Sequence, residues 1–363
     1  MVISFCCLVS LPGQVRLLGR QDLMDLAAKG LDEMYDYRFS QAKETINEMK
    51  KQLPGHPVVP FMHGLVIYWE NFPLTPKNRE ADTFLFLMNE SIKKSREITD
   101  KTPRDVEGVF FDLVSQAMCM QYFADNGQPA KVLPYLWPSY RLLRIGFELD
   151  SIFPEFCFTT GLYQYYIVVY PEKYPVYKPI AAMFPAGNKQ KGIELVERVT
   201  RESVFLKNEG MSFLYHLYLS FENNPSRAYE YISELVRRHP ANSYYAVQQV
   251  NCLIAQGYYE AARPLVERLY TMPDKNPFIL LSANLFNGIL QERIDGRMEE
   301  ATILYQNTLQ QAVRFGDYAN HQKAMAYMGL SRISFKKGEY RRSREYYRKA
   351  RSLTGYDYIF NLK

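Results

Sequence analysis

The sequence predicts an all-α chain built as a solenoid of about eight helical hairpins, and three observations carry that expectation. Apolar residues recur at i, i+3, i+4 and i+7, as in Phe110, Leu113, Val114 and Ala117. Small residues and prolines return with a 34-residue period: Gly30, Ala42 and Pro54 stand 12 apart, and Gly64 follows Gly30 by 34. No stretch shows sustained period-two alternation broken by turn dipeptides, so no sheet is expected. With 363 residues, 47% of them hydrophobic, the chain has enough apolar surface for a large core. Its formal net charge of +5 is too slight to advertise nucleic acid.

The elements follow in order. Residues 1–14 begin with an uncharged apolar run, Met1 to Leu11, ended by Pro12-Gly13. The length suits the apolar region of a signal peptide better than a membrane span, although no Lys or Arg precedes it. An exported protein, periplasmic or attached to the envelope, is therefore expected, cytoplasmic if this run is not a signal. Residues 21–150 read as hairpins, with Asp125 to Pro129 as a helix stop and restart. Residues 151–206 depart from the pattern: Pro154, Pro171, Pro175, Pro179 and Pro185 break an aromatic-rich segment too long for one standard hairpin. A helix to about Tyr170, a Pro-rich loop or short helix, and a helix from about Lys189 are expected there. This insertion either lines a ligand surface or adapts two sub-arrays of different pitch.

Residues 207–354 restore the period. Ala228 and Pro240 again stand 12 apart, Gly257 and Ala262 form the next turn and close contact, and Gly296, Ala301 and Tyr305 the one after. In the last unit Tyr327, Leu330, Gly338, Tyr340, Tyr347 and Ala350 occupy the signature positions, with Ser331 and Ser343 keeping two further sites small. Residues 355–363 form a tail. These residues resemble the tetratricopeptide repeat superfamily. That resemblance implies a right-handed α-solenoid with a concave groove lined by the first helix of each repeat, and binding or scaffolding instead of chemistry. The central Gly161-Leu-Tyr-Gln-Tyr-Tyr, Pro171 and Gly192-Ile-Glu-Leu more loosely resemble the tetratricopeptide-39 and inclusion-body-clearance proteins, with a degraded Ala186 to Gly192 element.

Chemistry is hard to find. Cys6, Cys7, Cys119, Cys157 and Cys252 form no C-x-x-C pair and read as small buried hydrophobes. None of His56, His63, His216, His239 and His321 sits in a metal motif, and His216 occupies a position where a small residue is usual. Phosphate-binding and nucleophile-elbow motifs are absent, so no enzyme, cofactor or metal is expected. The residues read as groove candidates are apolar early, Phe61, Tyr68 and Trp69, and polar later, Tyr244, Gln248, Asn251 and Asn287, followed by Arg332 and Lys336. Side-chain amides both donate and accept, which suits a peptide backbone or a sugar.

Between Lys336 and Arg351 stand eight basic against two acidic residues, so the rest of the chain carries −1. This segment either caps the array or touches an anionic membrane surface. The leading expectation is a scaffold or adaptor for a protein or peptide partner, without nucleic acid and without a transmembrane helix. The alternative is a small-ligand or glycan-binding module that uses the aromatic insertion and the polar groove.

Overall fold

The computed structural model describes residues 16–274 and 276–362, so the signal-peptide reading lies outside the described residues. Eight antiparallel hairpins follow one another. They are α1 (Gln21–Tyr35) with α2 (Phe39–Gln52), α3 (Val58–Glu70) with α4 (Glu80–Thr99), and α5 (Val106–Asp125) with α6 (Leu133–Leu149). Next, α7 (Phe156–Lys173) is separated by α8 (Lys178–Ala181) from its partner α9 (Lys189–Glu202). Then come α10 (Lys207–Ser220) with α11 (Pro225–Arg238), α12 (Ser243–Gln256) with α13 (Tyr259–Thr271), α14 (Pro277–Arg293) with α15 (Met298–Ala312), and α16 (Asn320–Lys336) with α17 (Tyr340–Leu353). A short α18 (Asp357–Phe360) ends the described chain, and no strand occurs among the described residues. The fold is an all-α solenoid.

The signature residues do what their size suggests. Ala42, Ala228, Ala262, Ala301 and Ala350 are fully buried. They sit where the second helix of a hairpin meets the first, and a larger side chain there would hold the backbones apart. Turns between helices use glycine where the backbone is left-handed, as at Gly257, whose φ of 78° closes α12. A tight approach of two helix backbones lies inside the irregular segment. A Cβ on Gly192 would stand 2.8 Å from both Gly161 O and Tyr165 N, and one on Gly161 2.8 Å from Gly192 O. Both obstacles are backbone, so α7 and α9 must move apart to admit a methyl group. Gly192→Ala is expected to cost about 1–3 kcal/mol by overpacking. Urea unfolding would check this, and a loss under about 0.5 kcal/mol would show that the two helices can slide freely.

The array does not stay open. Asn242 and Asn276 cap α12 and α14 through Oδ1, accepting from Tyr245 N at 3.1 Å and Phe278 N at 2.9 Å. Each amide also reaches back to the N-terminal hairpins: Asn242 Nδ2 donates to Tyr35 O at 2.9 Å and Asn276 Nδ2 to Phe72 O at 2.6 Å. Phe72 packs among Tyr244, Phe278 and Tyr318, with ring centroids 4.7–6.0 Å apart. Trp69 meets Tyr244 and Tyr245 at 5.8 and 5.9 Å. The first two hairpins are thereby locked onto hairpins six to eight, and the solenoid closes on itself.

Glu155 ties the middle together. Its buried carboxylate accepts from Val204 N, Phe205 N and Leu206 N at 2.7–3.0 Å and from the Ser203 hydroxyl, supplying partners to backbone donors at the entrance to α10. At the other end, Arg16 pairs with Asp105 at 2.6 Å, and Leu17 N and Leu18 N donate to Glu107, which also holds His56 Nε2 at 2.6 Å.

Candidate functional site

Closure turns the concave surface into a chamber. The first helices α3, α5, α7, α10, α12, α14 and α16 all face it, and its volume is about 950 Å³. The reason lies in the repeats: the second helices pack outside, so the inward face of each first helix meets its counterparts across the axis. Of the lining residues, Gln121, Ala124, Gly127 and Asp317 are exposed, which places the mouth between the end of α5 and the turn before α16. The C-terminal segment forms part of the wall. Tyr358 OH lies 2.9 Å from His321 Nε2 and accepts from Asn251 Nδ2 at 3.2 Å, while Tyr356 OH lies 3.3 Å from His216 Nε2.

The groove residues are not spread along an open surface, contrary to expectation. Phe61, Tyr68, Trp69, Tyr244, Gln248 and Asn251 line the same chamber, although almost two hundred residues separate the two groups. Phe61 is 2% and Asn251 3% exposed, so neither is available to a long peptide lying on the outside. Asn287, Arg332 and Lys336 are not among the lining residues. Asn287 accepts from Gln291 Nε2 at 3.4 Å. Arg332 is committed to Glu292, to which it donates twice at 2.8 Å. Lys336 is exposed at the end of α16.

The aromatic insertion divides in the same way. Phe158, Leu162 and Tyr166 of α7 line the chamber, whereas Val176, Ile180 and Met183 are exposed. With Leu133, Leu136 and Trp137 of α6, themselves exposed, these make the neighbourhood of α8 apolar on the outside, and Trp137 packs near Phe184 at 6.2 Å.

Sequence reasoning missed Asp125, Glu209, Tyr215, Tyr318, His321 and Gln322 as lining residues. The available signal was their place on first helices or in the turns leading into them, which only registration of each repeat would have revealed. Inside the chamber the polar groups are mostly tied together. Tyr215 OH donates to Gln248 Oε1 at 2.6 Å and accepts from Asn251 Nδ2 at 3.3 Å. That arrangement leaves Asn251 Oδ1 without a partner. Gln322 Oε1, Asn320 Oδ1 and Glu209 Oε2 are likewise unpaired, while the other Glu209 oxygen accepts from Tyr35 OH. Burial pushes the Asp125 carboxyl up to about 6 against a hydrogen bond from Gln121, and Glu209 up to about 7 against its bond from Tyr35. Burial, aided by a neighbouring positive charge, holds His216 down to about 4, and burial does the same for His321 beside His216.

No lysine or arginine is among the described residues lining the chamber. The described cysteines, Cys119, Cys157 and Cys252, are free and buried, and burial raises all three thiols. Among the described residues no group of His, Cys, Asp and Glu could hold a metal ion, and no helix is long and apolar enough to cross a membrane. The chamber thus offers aromatic faces, amide and carboxyl acceptors and enclosure, which together suit recognition.

No family model matches the chain, and no curated protein matches it; the likeness of its central segment to the tetratricopeptide-39 and inclusion-body-clearance proteins stays a resemblance. Among solved structures it is similar to the human IFIT1 dimer with PPP-AAAA, at 12% identity and a TM-score of 0.35 over 93% of this chain and 95% of that one. The human IFIT1 dimer with m7Gppp-AAAA gives 12% identity and a TM-score of 0.38 over 93% and 96%. Similarity at this level carries no argument about function.

Proposed function

We propose that the protein is a non-enzymatic binding protein that encloses a small molecule in its central chamber. The observation that supports this reading is the closure itself: seven first helices converge on about 950 Å³ of space lined by aromatic, amide and carboxyl side chains. Pockets of this size and make-up bury most of a ligand of ordinary metabolite size. A polymer does not fit the same description. The chamber presents no lysine or arginine among its described lining residues to meet the phosphates of a nucleic acid. An envelope location rests on the apolar run of residues 1–11 in the sequence.

A thermal-shift screen against a metabolite collection tests the reading. Hits are expected to raise the melting temperature by several degrees at saturating concentration. Leu162→Trp, which fills the chamber from α7, should abolish those shifts while leaving the helical circular dichroism unchanged. A screen in which every shift survives in Leu162→Trp would show that binding occurs elsewhere.

The adaptor reading keeps one supporting observation, the exposed apolar residues Leu133, Leu136, Trp137, Val176, Ile180 and Met183 around α8. The basic segment supports membrane contact less well, because Lys337, Arg342, Lys349 and Arg351 are already in ion pairs with Glu299, Glu339, Glu345 and Asp357.

A further inference from the structure

Resting on the chamber reading above, we infer that the ligand is an organic cation, a primary or secondary ammonium group carried on an apolar or aromatic body. Three independent observations lead there. The first is the sign of the charge. Asp125, Glu209 and Asp317 line the chamber and its mouth, and no described lining residue is a lysine or arginine. Two lysines adjoin lining residues and are held by backbone carbonyls: Lys173, whose charge bears on His216, donates to Ser220 O at 3.0 Å over the rings of Phe221 and Tyr356, and Lys323 donates to Gly316 O at 2.9 Å.

The second is the character of the unpaired polar atoms. Asn251, 3% exposed, and Gln322, 6% exposed, each line the chamber with an oxygen that has no hydrogen-bond partner. Asn320 and Glu209 add two more. All four are acceptors, and a buried acceptor left unmatched is costly. A ligand that donates several hydrogen bonds matches this set; a carboxylate or phosphate, which only accepts, would add to the mismatch. An ammonium group with two or three N–H bonds is the donor-rich group that also answers the negative charge.

The third is the aromatic lining. Tyr68, Trp69, Tyr166, Tyr244 and Tyr318 present rings to the same space. Ring faces attract cations, and the attraction grows when the site is shielded from water. The same rings bury the apolar body.

The experiment uses four probes that share one body: 4-phenylbutylamine, 4-phenylbutyltrimethylammonium, 4-phenylbutanol and 4-phenylbutyrate, titrated calorimetrically into the full chain. The amine is expected to bind one to one, at least tenfold more tightly than the alcohol, with the quaternary ion between them and the carboxylate weakest. Asp125→Asn and Glu209→Gln should each reduce amine affinity at least tenfold and leave that of the alcohol unchanged. If the alcohol or the carboxylate binds within tenfold of the amine, the cation assignment is overturned and the chamber reading stands. If no probe binds in a way that Leu162→Trp abolishes, both fail together.

Discussion

Arg332→Leu is expected to destabilise the protein by about 3–5 kcal/mol, the largest effect of any single substitution considered. The side chain of Glu292 is fully buried and that of Arg332 is 18% exposed. Arg332 Nε and Nη2 each donate to one carboxylate oxygen at 2.8 Å, and Tyr305 OH donates to Oε2 at 2.7 Å. Burial pushes the Glu292 carboxyl up, but the hydrogen bonds and charge of Arg332 outweigh it and hold the group below the usual carboxylate range. Removing the guanidinium leaves the buried carboxylate between α14 and α16 without its two short charged hydrogen bonds and with only the longer pairing to Arg293 at 3.9 Å, which is where the cost arises. The pair itself is worth much less than its breakage. Glu292→Leu combined with Arg332→Leu is therefore expected to recover part of the loss, because it removes both charges of the pair and leaves only Arg293, 3.9 Å from Glu292 Oε1 and hydrogen-bonded to Leu362 O, without its carboxylate. Urea unfolding of both single variants and the double variant measures this, and an Arg332→Leu loss below about 1 kcal/mol would mean that water reaches Glu292.

Acid is expected to unfold the protein well above the pH at which carboxylates alone would do so. His216, His239 and His321 are held by burial at about 4, below the histidine value of 6.5. His239 is the cleanest case, 2% exposed, with Asn208 Nδ2 2.9 Å from Nε2. Between pH 6.5 and 4 the unfolded chain binds protons that the folded histidines refuse, so stability falls as the pH drops through that window, by roughly 3 kcal/mol for one fully buried histidine. Asp125 and Glu209 act in the opposite sense. Their folded values of about 6 and about 7 lie above the ordinary carboxyl range, so they stabilise on the acid side and lose that contribution as the pH rises through 4 to 7. Three histidines outweigh two carboxyls, and the lowered Glu107 and Glu292 carboxyls act with the histidines, so a net loss of stability is expected as the pH falls from 6.5 to 4. Denaturant unfolding from pH 4 to 8 gives the profile. His239→Asn should flatten the acid limb by roughly 3 kcal/mol, and an unchanged limb would show that His239 takes up its proton without unfolding.

The helices and their pairing were legible because both are local properties. Periodicity marks an amphipathic face, and a small residue at a fixed offset marks where two adjacent helices touch; Ala42, Ala228 and Ala350 needed nothing from distant sequence to be placed correctly. The irregular segment could also be read in outline, since Asn188 caps α9 through Lys191 N at 2.9 Å just where the prolines end. Half of the candidate site was legible in kind: aromatic and amide residues on first helices were singled out, but as an open groove with polar later turns free to meet a partner.

What the sequence determined by itself was therefore a chain of eight helical hairpins, with first helices turned inward and small residues at their crossings. Only the tertiary structure decided that the array closes. Closure rests on Asn242 and Asn276 donating to carbonyls some two hundred residues away, and on Phe72 seated among Tyr244, Phe278 and Tyr318. Pitch and curvature accumulate over all eight units, so a small rotation at each crossing, too small to leave a residue signature, fixes whether the ends meet. Closure in turn converts a surface into a chamber, withdraws Phe61 and Asn251 from solvent, and raises the Asp125 and Glu209 carboxyls toward neutral pH, because burial depends on what stands opposite a residue across space.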